Sequence, residues 1–353
     1  MIELEKIWQD YGLDQMEEGL ASLFPESKIS LAELLQQVMT GDILGAMTGF
    51  MQDIISDMTD AAGGMKNIFI WLLVLGTVSA LMTHFIEIFD KHQIADLSFY
   101  FVYLLMTAVL MKCFSLIMQT TVSAIEDIIL FVKLLVPTYL LSVGLATGTA
   151  TVSASYQLVL LIIYGIEKIM LGVVLPMIYS YCILSMINGI WIEEKLTLLI
   201  ELIEKCIGWL LKAAIGVVTG VGVFQTVITP VIDSVKASAL QKTISALPGI
   251  GNAADGVVEL VMGSAVVLKN SIGVVLLLLL IILCATPLLQ ILGIAVFLKG
   301  AAAFMGIVSN KRITSCVNRT GEAGMMLFRT LGTAMLLFLI TLSMVATATN
   351  RGF

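Results

Sequence analysis

Charge is scarce in this chain. Asp, Glu, Lys and Arg make up 13% of 353 residues, against about 25% in soluble domains, while apolar residues reach 59%. That balance excludes an ordinary soluble globule, whose elements need polar faces. Basic residues are fewer than acidic ones, 19 against 26, so the basic face that nucleic acid demands is missing and no nucleic-acid partner is expected. The two histidines, His84 and His92, lie too far from other ligand types to build a metal centre. Five cysteines (Cys113, Cys182, Cys206, Cys284 and Cys316) have no CxxC spacing and sit mostly in apolar segments, where single buried thiols are expected. There is no GxxxxGK[ST], HExxH or GxSxG motif and no carboxylate pair in a soluble domain. A non-enzymatic protein without cofactor is therefore expected, and any ATP-driven step would belong to another subunit. Met1–Glu18 has neither the apolar core nor the basic start of an export signal.

What the chain has in abundance is long apolar runs. Ser271–Phe297 is twenty-seven residues without a charge. As a helix it would span roughly 40 Å, more than the roughly 30 Å of a bilayer's hydrocarbon core. Comparable runs occur at Asn67–Phe89, Ser98–Met118, Ile128–Thr147, Tyr156–Ile187, Ala213–Ile232 and Met325–Thr347. The fold class is thus all-α: a polytopic helical membrane protein with about seven to eight transmembrane helices plus amphipathic interfacial helices. Tyr156–Ile187 is too long for one ordinary crossing and contains Pro176, so it reads either as one kinked helix or as a tight hairpin. The hairpin gives eight crossings and an acidic head outside, the kinked helix seven and a cytoplasmic head. Lys299, Lys311, Arg312 and Arg319 between the last two strong runs mark a cytoplasmic loop, and charge favours the first count.

Residues 1–66 form an acidic amphipathic head, with twelve acids and three lysines, and residues 67–353 the helical transmembrane domain. In the head a polar helix ends near Pro25. A second helix follows Asp42, with apolar residues from Ile43 to Met58 at three- and four-residue intervals. Along it runs a ladder, Gly41, Gly45 and Gly49, which reads either as part of a helix lying on the bilayer or as a packing face for a partner. Within the body, Glu193 opens an amphipathic run expected to lie at the interface and to enter the membrane near Lys212. The Gly216-x-x-x-Gly220 after it favours close helix packing.

Charges inside apolar runs cost about 3 kcal/mol each at a helix centre unless paired or wetted. Lys112 and Arg329 read as side chains that snorkel to the interface. Lys133, Glu167 and Lys168 are candidates for an intramembrane polar path; Glu167 and Lys168, about 100° apart on a helix, do not pair well with each other. The sharpest local sequence is the helical hairpin at 233–270. Its Pro248-Gly249-Ile250-Gly251-Asn252 breaks one helix, leaves Asn252 to cap the next, and is followed by Asp255. It has few charges for a surface loop, so it either lies at the interface or folds into the membrane over a pore.

The string from Leu240 to Asp255, with Gly263-Ser264 and Lys269-Asn270-Ser271-Ile272-Gly273, resembles the stage III sporulation protein AE family of endospore-forming bacteria. The similarity extends from the Gly41-Asp42-Ile43 helix start to the Lys311-Arg312-Ile313 loop and the last run. The resemblance implies a permease-like, multi-pass subunit of the sporulation channel complex between mother cell and forespore. Its setting would be the mother-cell-derived membrane around the forespore. Partners would be the lipid bilayer, an ATPase resembling those of secretion systems, ring-forming proteins of the intermembrane space and possible further copies of itself. Members of that family usually begin with a cleavable export signal, which places the head outside the cytoplasm. The alternatives are a self-contained secondary transporter of a small solute and a purely structural scaffold.

Overall fold

A computed structural model describes the backbone of residues 13–23, 31–40, 92–147, 150–191, 195–244, 251–308 and 310–349, with isolated positions at 70, 74, 77 and 78. All regular structure among them is helical: α1 Leu13–Leu23, α2 Leu31–Thr40, α3 His92–Thr147, α4 Ala150–Ile169, a π-turn Met170–Val174, α5 Leu175–Asn188, α6 Thr197–Ile244, α7 Gly251–Val308 and α8 Lys311–Thr349. Five stretches among the described residues are long and apolar enough to cross a membrane: Phe99–Leu135, Val159–Asn188, Thr197–Val223, Ser271–Ile307 and Lys311–Ser343. Their outward surface suits lipid, with Phe101, Leu161, Leu198, Trp209 and Ile307 each exposed by more than 65%. The predicted run Asn67–Phe89 lies outside the described residues apart from those four positions.

Two predicted crossings, Ser98–Met118 and Ile128–Thr147, are halves of one 56-residue helix, α3. The polar stretch between them reads as a break, yet it contains neither Gly nor Pro. Its threonines stay helical by bonding back, Thr120 to Leu116 O at 3.1 Å and Thr121 to Ile117 O at 2.7 Å. Tyr156–Ile187 is not a hairpin: the chain passes helically from α4 through the π-turn into α5. The π-turn shifts the helical register so that Pro176 falls in the first turn of α5, where its missing N–H is tolerated. Nor does the chain turn at Lys212, because α6 continues through it to Ile244.

Helix α8 is the hub, touching α3, α4, α5, α6 and α7, and 56% of an apolar eighteen-residue stretch of it is buried, the largest share of the five. Two glycines permit that closeness. A Cβ on Gly321 would lie 2.9 Å from Lys299 Cγ and 3.2 Å from the Ala295 carbonyl oxygen. One on Gly324 would lie 3.0 Å from Ala295 Cβ and 3.1 Å from Ile117 Cδ1, so α3, α7 and α8 meet there. A Cβ on Gly216 or Gly220 of α6, expected from their spacing to pack closely, would meet no other helix among the described residues within 4 Å.

The bundle has two distinct ends. At the near end, the starts of α3, α6 and α8 meet the ends of α5 and α7. Tyr103 donates to the Met186 carbonyl at 2.6 Å, and Arg312 lies over the Phe99 ring at 4.3 Å. Asn188 joins α5 to α6 by accepting from Leu196 N at 2.8 Å and donating to Thr197 Oγ1 at 3.2 Å. At the far end, Gly19 of α1 fits against Leu134 and Leu135 of α3. The Glu17 carboxylate accepts from Leu31 N at 3.2–3.3 Å and so satisfies an orphan amide at the start of α2. Leu20, Leu31, Leu34 and Leu35 of these head helices are buried in the same core as the spans.

Candidate functional site

The near end is held by polar contacts that hydropathy does not disclose. Asn310 caps α8 by accepting from Arg312 N at 3.0 Å. The Arg312 side chain then reaches back across the bundle, donating from Nε to the Gly189 carbonyl at 2.9 Å and from Nη2 to the Ile190 carbonyl. A guanidinium there completes the carbonyl end of α5, where a cation also suits the helix dipole. Deeper in, Glu322 accepts from the Tyr181 hydroxyl at 3.1 Å and from Asn318 Nδ2 at 3.3 Å, and pairs with Lys299 at 3.7 Å. Arg312 and Lys299, read from sequence as marks of orientation, are also structural ties.

Helix α3 carries a polar stripe. Lys112, Gln119, Ser123, Glu126 and Lys133 recur at helical spacing with Leu116 and Leu130, and all are exposed. The opposite side, with Leu110, Phe114, Ile117, Ile125 and Ile128, is buried core. Polar groups on an outward face within a crossing need water or protein against them, because lipid offers no partners.

The predicted polar path is split in two. Lys133 of α3 and Lys168 of α4 both converge on Tyr164 of α4, their ammonium groups 5.4 and 5.6 Å from its ring centroid, and both lysines are exposed. Glu167 turns inward and is fully buried near Cys284 of α7. Neither of its carboxyl oxygens reaches a hydrogen-bond donor among the described residues. The structure therefore brings Lys133 and Lys168 together and separates both from Glu167. Among the described residues no three His, Cys, Asp or Glu side chains stand where they could hold a metal ion. Four cysteines are buried and Cys206 is exposed, all as free thiols.

Of the hairpin, Pro248, Gly249 and Ile250 lie outside the described residues, as do Gly41, Gly45 and Gly49 of the ladder. Helix α7 begins at Gly251, so Asn252 and Asp255 belong to its first turns, and Asn252 is not the residue before the helix. Sequence reasoning missed α2, although Leu31, Leu34, Leu35 and Val38 have helical spacing. It also missed Gly321 and Gly324, which stand three apart among polar residues where no apolar run draws attention.

Comparison with known proteins decides the lineage. The family profile described as stage III sporulation protein AE matches residues 29–349. The chain belongs to the stage III sporulation protein AE family. It is 22% identical over 281 residues to the stage III sporulation protein AE of Bacillus subtilis (strain 168), a match that covers 79% of this chain and 70% of that relative. No solved structure matches. A sporulation-family protein built from long apolar helices is what the hairpin string and the hydropathy together led one to expect.

Proposed function

We propose that this chain is a non-enzymatic, permease-like membrane subunit of a sporulation channel complex, and that the polar stripe of α3 faces an aqueous path. The stripe is the observation that carries the reading, since a helix crossing lipid alone has no use for Lys112, Gln119 and Ser123 on its outer face. In the proposed topology the near end, with Lys299, Lys311, Arg312 and Arg319, is cytoplasmic. The head helices α1 and α2 then lie on the opposite side. Counting predicted run Asn67–Phe89 as the passage between the ends gives six crossings, in place of seven or eight. At about 1.5 Å per residue, α3 and α7 are roughly 84 and 87 Å long, well beyond a bilayer of about 30 Å. Their surplus on the head side would meet the ring-forming proteins between the two membranes, while an ATPase would act at the cytoplasmic end. The membrane concerned is that of the mother cell around the forespore.

Single cysteines on a Cys-free background, in the assembled complex, test this. Gln119→Cys and Ser123→Cys are expected to react with a water-soluble, membrane-impermeant thiol reagent, while lipid-facing Leu161→Cys is not. If all three are protected, the stripe meets protein or lipid, the channel reading fails and a scaffold role replaces it. Of the pair that the secondary-transporter reading relies on, Lys133 and Glu167, Glu167 alone is buried. Solute flux that depends on Glu167, with the α3 stripe protected, would favour it.

A further inference from the structure

We infer that Glu167 is a proton-binding site inside the membrane-spanning body, and that the bound proton holds α4 in its packed position. The side chain lies within Val159–Asn188, one of the five stretches able to cross a membrane. Among the described residues it is the only buried side chain of a charged type; the others are apolar, thiol, hydroxyl or amide groups. Neither carboxyl oxygen reaches a donor among the described residues, and neither exposes enough surface for a water molecule to rest against. The π-turn Met170–Val174 begins three residues further on, a placement that π-turns often take at functional sites.

The lack of donor, cation and water decides the ligand. A carboxylate anion in this position would give up its hydration with nothing in return, whereas the neutral acid gives up far less. A metal ion needs several ligands and a space of its own, and no three His, Cys, Asp or Glu side chains gather for one among the described residues. A proton needs no space. The charged groups on the helices packed against α4 leave it the same choice. Lys112, Glu126 and Lys133 of α3 are exposed, as are Glu201, Glu204, Lys205 and Lys212 of α6 and Arg329 of α8. Arg319 and Glu322 of α8 stand by Tyr181, fourteen residues beyond Glu167. The titratable group that does face Glu167 is the Cys284 thiol of α7, on which half-buried Asp127 of α3 also acts. A further negative charge beside that thiol is opposed, not drawn in. The packed arrangement therefore carries one proton more than a state in which Glu167 meets water, and rising pH favours the second state. This follows from the interior of the bundle alone and holds whether or not the α3 stripe is wet.

Two readings on the full-length protein in mixed micelles test it. Infrared absorption at neutral pH is expected to show a neutral-acid carbonyl band in wild type that E167Q lacks. Reversible unfolding by a denaturing detergent supplies the second reading. An unfolded glutamate is ionised above about pH 5, so from there upward the wild-type folding equilibrium should weaken up to tenfold per pH unit relative to E167Q. Absence of the band would mean an ionised carboxylate with a partner, and would overturn the inference. Wild-type stability that runs parallel to E167Q at every pH would overturn it too, because folding then takes up no proton. So would a gain in wild-type stability with sodium at fixed pH that E167Q does not share, since the ligand would then be a metal ion. Failure of E167Q to fold counts against it equally: an amide of the same shape can replace a neutral acid but not a paired anion.

Discussion

Helices α6 and α8 start at the same end of the bundle, touch each other, and each carries a close pair of glycines. They use them in opposite ways. In α8 the pair is closed over by Ala295, Lys299 and Ile117, and 56% of an apolar eighteen-residue stretch is buried. In α6 Gly216 and Gly220 meet no other helix among the described residues, only 22% of an apolar eighteen-residue stretch is buried, and Trp209 and Leu198 stand 79% and 82% exposed. Glycine spacing on a helix therefore marks where a backbone can approach, not whether this chain supplies the neighbour. The difference assigns α8 to internal architecture and leaves α6 at the edge of the bundle that the described residues form.

Substitution can break or sharpen that contrast. The largest effect is expected from Gly324→Leu, which drives a side chain into the Ala295 backbone and Ile117 and should cost about 3 kcal/mol or more. Thermal unfolding in detergent would read this as a large drop in Tm or a failure to yield folded protein. Arg312→Ala comes next. It removes the cation from the Gly189 and Ile190 carbonyls and from Phe99, at a cost of about 2–3 kcal/mol by the same measurement. Glu167→Met should move stability the other way, raising it by about 1–2 kcal/mol, because a carboxyl group without a donor gives way to an apolar side chain that fills the same space. A loss of stability there would mean that Glu167 has a partner the described residues do not include. Smallest is Gly216→Leu with Gly220→Leu, expected within about 0.5 kcal/mol of wild type for the isolated subunit. Were that pair as damaging as Gly324→Leu, the contrast between the two helices would collapse.

Fold class was legible because lipid imposes one rule on every crossing: a long apolar helix with its backbone bonded internally. Boundaries were less so. The polar middle of α3 looked like a loop because hydropathy averages over a window, whereas the helix persists as long as nothing breaks its hydrogen bonds. Pro176 left two readings open from sequence, since proline alone does not say whether a π-turn precedes it. The candidate site was half legible. Lys133, Glu167 and Lys168 stood out as charges in apolar surroundings, but their grouping depends on which faces of α4 Glu167 and Lys168 occupy against α3 and α7. The near-end role of Arg312 was invisible, because its acceptors, Gly189 and Ile190, are backbone carbonyls more than a hundred residues away.

The π-turn at Met170–Val174 has a consequence for how this helix can vary. A π-turn amounts to one residue inserted into an α-helix, and each residue of helix turns the chain by about 100°. Deleting a single residue there would rotate everything before it relative to α5, carrying Glu167 out of the protein interior and Lys168 and Tyr164 off the face they share with Lys133. Proline tolerance, carboxyl burial and the lysine–tyrosine grouping are therefore not three independent features open to separate drift. They are inherited together through the length of one five-residue segment, which admits substitution far more readily than insertion or loss.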